Sequence, residues 1–218
     1  MPKIVPIVEG EGEVGAVPKL LVKLLNERGR YDLQIARPKN ANGRQNLDKP
    51  GGLEKFVELS WRERDCGATL VLIDADKECA VALARDYASR IQSMGVRFTV
   101  VIAVAKCEYE AWFLASLKSI AGREWQGHEG LPEGLDYPGE VESLVGVKGW
   151  LDRQLQPGHS YKPAQDQAAV TAMLDSELAR ARSRSFRRLC HALEEAVTAI
   201  DTGRVIVTPE ISSQSHRG

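Results

Sequence analysis

The chain has 218 residues, 43% of them hydrophobic and 27% charged, with a formal net charge of -1. This length supports one core, or one core with an extension. The near-zero charge excludes an overall basic field, so any nucleic-acid contact has to come from a local patch. Cys66, Cys79, Cys107 and Cys190 form no CxxC pair, and His128, His159, His191 and His216 are too dispersed for a zinc set. That pattern reads as reduced thiols in a cytosolic protein.

Residues 3–8 are predicted as a buried strand. The run is too short for a signal peptide and carries Pro6, and no stretch approaches the length of a membrane span. Val14, Val17, Leu20, Leu21, Leu24 and Leu25 recur at helical spacing and predict an amphipathic helix over 14–28. Residues 32–37 read as a second strand ending at Pro38. The Asn-, Gly-, Lys- and Arg-rich segment 39–52 reads as a long loop of the kind that is often functional. A helix is predicted over 53–65 and a strand over 69–73. Ala80, Leu83, Ala84, Tyr87, Ala88 and Ile91 mark one face of the next helix, which Gly95 ends. Residues 97–105 form a Val-rich strand and 108–121 a helix. This alternation predicts an α/β fold, a mostly parallel sheet with helices on both faces.

After Gly122 the character changes. Residues 122–140 carry Gly, Pro and acids with little periodicity, and about 140 to 200 is helical, with a stripe of Phe186, Leu189, Cys190, Leu193, Val197 and Ile200. Residues 204–207 add a short strand. The expected division is an α/β domain over 1–122, a linker and helical extension packed on it over 123–210, and a disordered tail over 211–218.

Two acidic clusters follow apolar strands. Val8 is followed by Glu9-Gly10-Glu11-Gly12-Glu13, and Ile73 by Asp74-Ala75-Asp76. Open α/β sheets place their ligands at the carboxyl ends of strands. Carboxylates converging there repel one another unless a hard cation neutralises them, so Glu9, Asp74 and Asp76 are expected to meet around a metal. Each has a plainer reading. Glu11 and Glu13 favour a helix N-terminus, and Asp74 would cap the following helix with Asp76 in its first turn. Lys77 and Lys106 sit beside these acids and either contact phosphate or neutralise the cluster. Trp112 and Phe113 read as core.

A strand ending in Glu-Gly followed by a later strand ending in Asp-x-Asp resembles the Toprim pattern. That pattern occurs in topoisomerases, primases and nucleases of the overcoming-lysogenization-defect type. Lys106-Cys107-Glu108-Tyr109-Glu110-Ala111-Trp112-Phe113-Leu114-Ala115 and Arg184-Ser185-Phe186-Arg187-Arg188 look like a group of small stand-alone Toprim-like proteins linked to bacterial defence and to AAA-type ATPases. The resemblance covers about residues 3 to 195. It implies a Toprim-like domain in which Glu9 is a metal ligand or general acid/base. Asp74 and Asp76 would hold Mg²⁺ or Mn²⁺, Glu13 would be a second acid, and Glu110 a further ligand. It also implies an ATPase partner, although the chain has no Walker A motif.

Arg180, Arg182, Arg184, Arg187 and Arg188 lie within nine residues, preceded by Lys148, Arg153 and Lys162. They read either as a phosphate-contacting face or as a solvated helix paired with Glu177, Glu194 and Glu195. Lys39, Arg44 and Lys49 are a second, weaker candidate. The resulting expectation is Mg²⁺-dependent cleavage of DNA or RNA by an effector of an anti-phage defence module, with Arg182, Arg184, Arg187, Arg188 and Lys106 on nucleic acid. The alternative is a non-catalytic regulatory subunit of an ATPase partner. A homo-oligomer fits either, and no membrane contact is expected.

Overall fold

The structure is a computed structural model and describes residues 1–210; the expected disordered tail over 211–218 lies outside the described residues. Strand β1 (Lys3–Val8) leads into α1 (Glu11–Asn26), the short strands β2 (Gln34–Ile35) and β3 (Lys39–Asn40), a one-turn helix α2 (Gln45–Asp48) and α3 (Gly52–Trp61). Then come β4 (Cys66–Asp74), α4 (Ala80–Ser93) and β5 (Thr99–Ala105). The second half supplies α5 (Ala111–Ala115), α6 (Leu117–Ile120), and an antiparallel pair of β6 (Glu124–Trp125) and β7 (His128–Glu129). A 3-10 turn at Val141–Ser143 precedes α7 (Val147–Gln154), α8 (Pro163–Met173), α9 (Ser176–Arg182), α10 (Arg184–Thr202) and β8 (Val207–Thr208).

The main sheet runs β2-β1-β4-β5-β8, with β3 also paired to β1, and these pairings are parallel. Alternate strand residues face opposite sides, as the pleat requires. Ile4, Val8, Leu70, Leu72, Val101 and Ala103 share a core with α1 and α10, while Ile7, Val71, Ile73, Val100 and Ile102 share one with α3 and α4. Both faces are covered, so β1, β4 and β5 read as near-continuous Val/Ile/Leu runs.

The connections reverse direction between β1 and β4. From β1 the chain passes through α1 on one face to β2; from β4 it passes through α4 on the other face to β5. A crevice therefore opens between the carboxyl ends of β1 and β4, the place where open α/β sheets accept ligands.

Several local expectations change. The strand predicted over 32–37 is two fragments: β2 pairs with the start of β1 (Ile4 with Ile35) and β3 with its end (Val8 with Asn40). Pro38 lies between them and offers no N–H to the ladder. The loop 39–52 contains β3 and α2. The helix predicted over 108–121 breaks into α5 and α6 at Ser116, whose φ of -111° and ψ of 20° leave the helical region. Residue 122 is no boundary in the fold. β8 is a strand of the same sheet beside β5, and α8 and α10 share the core of α1, β4 and β5.

The contact between α1 and α8 is close. A Cβ on Gly12 would stand 2.0 Å from Gln167 Oε1 and 2.8 Å from the Pro163 carbonyl oxygen. Gly10, two residues earlier, has open space. Gly12→Ala should therefore cost about 1–3 kcal/mol by overpacking, read as a lower midpoint in denaturant, while Gly10→Ala should leave the midpoint nearly unchanged.

Candidate active site at the carboxyl edge of the sheet

Glu9 follows β1, Asp74 ends β4, and Glu110 stands at the start of α5, just beyond β5. The three thus stem from the same edge of three neighbouring strands. Glu9 and Asp74 are joined directly, because Glu9 Oε1 accepts from the Asp74 N–H at 2.9 Å. Asp74 is only 7% exposed; its Oδ1 accepts from the Tyr109 N–H at 2.9 Å, and its Oδ2 lies 3.7 Å from Lys148 Nζ. Glu110 is fully buried; its Oε1 accepts from the Tyr161 hydroxyl at 3.1 Å. Its Oε2 has no hydrogen-bond donor and lies 3.5 Å from Lys148 Nζ. In both acids a protein donor fixes one oxygen and leaves the other aimed at the same ammonium.

Glu13 is buried, and its Oε2 accepts from the N–H groups of Glu9 and Gly10 at 2.9 and 2.8 Å. It closes the N-terminus of α1 and fixes the backbone that carries Glu9. Asp74 does not cap the next helix, because α4 begins at Ala80. Asp76 is exposed, with φ of 48°, and its N–H bonds the carbonyl of Cys107, itself at φ of 64°. Two non-glycine residues in the left-handed region face each other past the ends of β4 and β5, a strain of order 1–3 kcal/mol each that the surrounding structure must overcome. Arg44 spans this turn. It donates to the Asp74 carbonyl at 3.0 Å, lies 3.6 Å from Asp76 Oδ2, and pairs with Asp48 and Glu78.

Burial dominates the electrostatics. It raises the Glu9 carboxyl to about 7, against the opposing Asp74 N–H, with Glu13 adding to the rise. Burial likewise takes Glu110 to about 7, against the attraction of Lys148. Asp74 is raised well above its ordinary range by burial, then by Glu13 and Glu110. Glu13 is raised by burial. For Lys148 burial acts downward, but Glu110, Asp74, Glu108 and Glu13 together outweigh it and hold the ammonium above its usual value.

The donor set is made of carboxylate oxygens, the ligands hard divalent cations prefer. The orphaned Glu110 Oε2 beside Asp74 Oδ2 fits such an ion. Among the described residues, no three His, Cys, Asp or Glu side chains are already gathered tightly enough to cage one. Lys148 and Arg44 stand among the acids instead. Lys148, Tyr161 and Arg44 are the residues that sequence reasoning did not place here. Lys148 and Tyr161 come from α7 and the approach to α8, and only tertiary packing delivers them to the edge. The sole sequence signal for Arg44 was the loop's basic, Asn-rich composition.

On the helix predicted over 108–121, Glu108 and Glu110, two residues apart, would point in different directions. They precede the regular helix, and both reach Lys148, Glu108 Oε2 accepting from its backbone N–H at 3.2 Å. The arginines are dispersed. Arg182 is committed to the protein, donating to the carbonyls of Leu114, Tyr137 and Gly139 and pairing with Asp136. Arg188 pairs with Glu195 at 3.1 Å, and Arg187 donates to the carbonyls of Arg180 and Ala181. Arg184 is exposed. The start of α10 that carries it is tied to the acidic edge, because Glu142 accepts from the Ser185 N–H and from the Cys107 thiol. Lys106 donates to the Glu78 carbonyl at 3.1 Å.

Fold and edge together define a mostly parallel α/β protein with carboxylates at its switch point. Residues 8–194 match the family described as Domain of unknown function (DUF4276), and the chain belongs to that family. No curated protein matches the sequence. Among solved structures the chain is similar to the C-terminal region of the Burkholderia pseudomallei OLD protein. The likeness has 16% identity and a TM-score of 0.36, and covers 92% of this chain and 99% of the other.

The raised acids set a pH dependence. Glu9 and Glu110 titrate near 7 in the folded protein against an ordinary 4.5. Between those values the native state holds protons that the unfolded chain has lost, so stability must fall as pH rises through this window. Without divalent cations the protein should melt higher at pH 5.5 than at pH 8. Glu110→Gln should remove about one proton from that slope, measured by melting across the pH range.

Proposed function

We propose that this protein is a Toprim-like nuclease that cleaves DNA or RNA with the help of Mg²⁺ or Mn²⁺. The observation that carries the reading is the pair of open carboxylate oxygens, Asp74 Oδ2 and Glu110 Oε2, one of them buried without a hydrogen-bond donor, beside Glu9 at the switch point. The resemblance of the Glu-Gly and Asp-x-Asp motifs to Toprim domains supports it. The same resemblance supports a role as effector of an anti-phage defence module with an AAA-type ATPase partner.

Asp74, Glu110, Glu9 and Asp76 are the residues that would hold the cation. Bound there, it would neutralise charge on the scissile phosphate and lower the pKa of a water nucleophile. The chain's own part is positional and protonic. Glu13 fixes the backbone N–H groups of Glu9 and Gly10, and Tyr109 and Tyr161 fix the outer oxygens of Asp74 and Glu110. Glu9 Oε1 is held by the Asp74 N–H, which leaves Oε2 to hold or release a proton near neutrality. Arg184 and Lys106 are the basic side chains best placed to contact the substrate strand.

The rival reading is a non-catalytic regulatory subunit of an ATPase partner. One observation favours it: Lys148 and Arg44 already balance charge on this edge.

The two readings separate in assays with plasmid, single-stranded DNA and tRNA in Mg²⁺ or Mn²⁺. Glu9→Gln and Asp74→Asn should lower cleavage at least ~100-fold without unfolding the protein. At a hundred times its dissociation constant the cation should stabilise the parent by about 2.7 kcal/mol. Asp74→Asn with Asp76→Asn should abolish that shift in melting temperature. A parent that cleaves none of these substrates and does not respond to metal leaves the regulatory reading in place. Arg184→Ala with Lys106→Ala should weaken strand binding and reduce its salt slope by about 1–2, measured by titration at two salt concentrations.

A further inference from the structure

We propose that Lys148 is a resident counter-cation of the acidic edge: its ammonium neutralises Asp74 and Glu110 until a divalent cation binds, and then leaves them for solvent. The inference rests on the proposed metal site and adds to it a competition built into this chain.

Three features carry it. First, the oxygens facing Lys148 are the two that no other donor holds. Asp74 Oδ1 is taken by the Tyr109 N–H and Glu110 Oε1 by the Tyr161 hydroxyl, while Asp74 Oδ2 and Glu110 Oε2 share the ammonium. A cation bridging these carboxylates needs the same two atoms. Second, the ammonium is loosely seated. It stands 3.7 and 3.5 Å from the two oxygens, beyond good hydrogen-bond length, and Glu110 Oε2 has no hydrogen-bond donor although fully buried. A divalent ion contacts carboxylate oxygen at about 2.0–2.6 Å and carries twice the charge. It therefore wins the exchange, and like charge then repels the ammonium at close range.

Third, Lys148 has somewhere to go. Its side chain is 41% exposed on a flexible four-carbon stem, in the first turn of α7. The segment leading to it includes exposed Val145 and then Gly146 at φ of 77°. This segment borders a groove of about 330 Å³ that Arg44, Asp76, Glu78 and Glu108 also line. The backbone of Lys148 stays anchored, since its N–H donates to Glu108. The swing is thus a side-chain movement alone.

Lys148→Met keeps the stem and removes the competitor. In calorimetric titration of the full chain with Mg²⁺ and with Ca²⁺, the variant should bind about tenfold more tightly than the parent. Without metal it should melt lower, because two buried carboxylates lose their cation. Equal or weaker affinity in the variant overturns the proposal. A second measurement uses the parent alone, in case the variant folds poorly. Acetylation of Lys148 by acetic anhydride, read by peptide mass spectrometry, should speed up several-fold when Mg²⁺ is added, while remote Lys19 and Lys55 stay constant. A rate that is unchanged or slower overturns the proposal. Failure of the parent to bind either ion overturns both this inference and the metal site. Normal binding and cleavage with no change at Lys148 overturns this inference alone.

Discussion

The arrangement of this molecule turns on the burial of like charge at one edge of a parallel sheet. Glu9, Glu13, Asp74 and Glu110 descend from three strand ends and one helix start, and three of them are nearly or wholly inaccessible. Two unit charges about 4 Å apart in a partly buried setting interact by ~4 kcal/mol, so such a cluster persists only with compensation. The compensation is specific. Backbone N–H groups hold one oxygen each of Glu9, Asp74 and Glu13, a tyrosine hydroxyl holds Glu110, and two protein cations lie among the rest. The left-handed turns at Asp76 and Cys107 are part of the same arrangement, since Arg44 and the facing carbonyl keep them in place.

The sheet was legible because its physics is local. A strand covered on both faces must be apolar at every position, so β1, β4 and β5 stand out as runs. The acids that end β1 and β4 share the carboxyl edge simply because the strands are parallel. Failures began where local signals compete. Pro38 splits what reads as one strand, because a missing donor matters more to a ladder than β-propensity does. Residues 108–110 read as the start of a helix but lie in an irregular turn before α5, from which Glu108 meets the backbone N–H of Lys148 and Glu110 its ammonium.

The partners of the acids were not legible, for a different reason. Lys148 and Tyr161 lie in the second half of the chain, and nothing in their neighbours distinguishes them from surface Lys and core Tyr. Only the seating of α7 and the segment before α8 brings them to Glu110. The Arg-rich stretch shows the converse. A dense run of charge suggested a phosphate face, yet Arg182 and Arg188 are structural, holding the end of α5, the 136–139 loop and α10 together. Side-chain forks with several donors are as useful for knitting carbonyl groups as for gripping phosphate.

The placement of β8 has a consequence for synthesis. The last described strand lies beside β5, and α10 before it covers β4 and β5, so the nascent chain cannot bury its central strands until Thr208 has left the ribosome. Until then Asp74 and Glu110 lack the hydroxyl and ammonium that Tyr161 and Lys148 bring. A half-made polypeptide thus holds the acids of the edge but not their setting. The order of translation delays the assembled edge until the helices that flank it have been made.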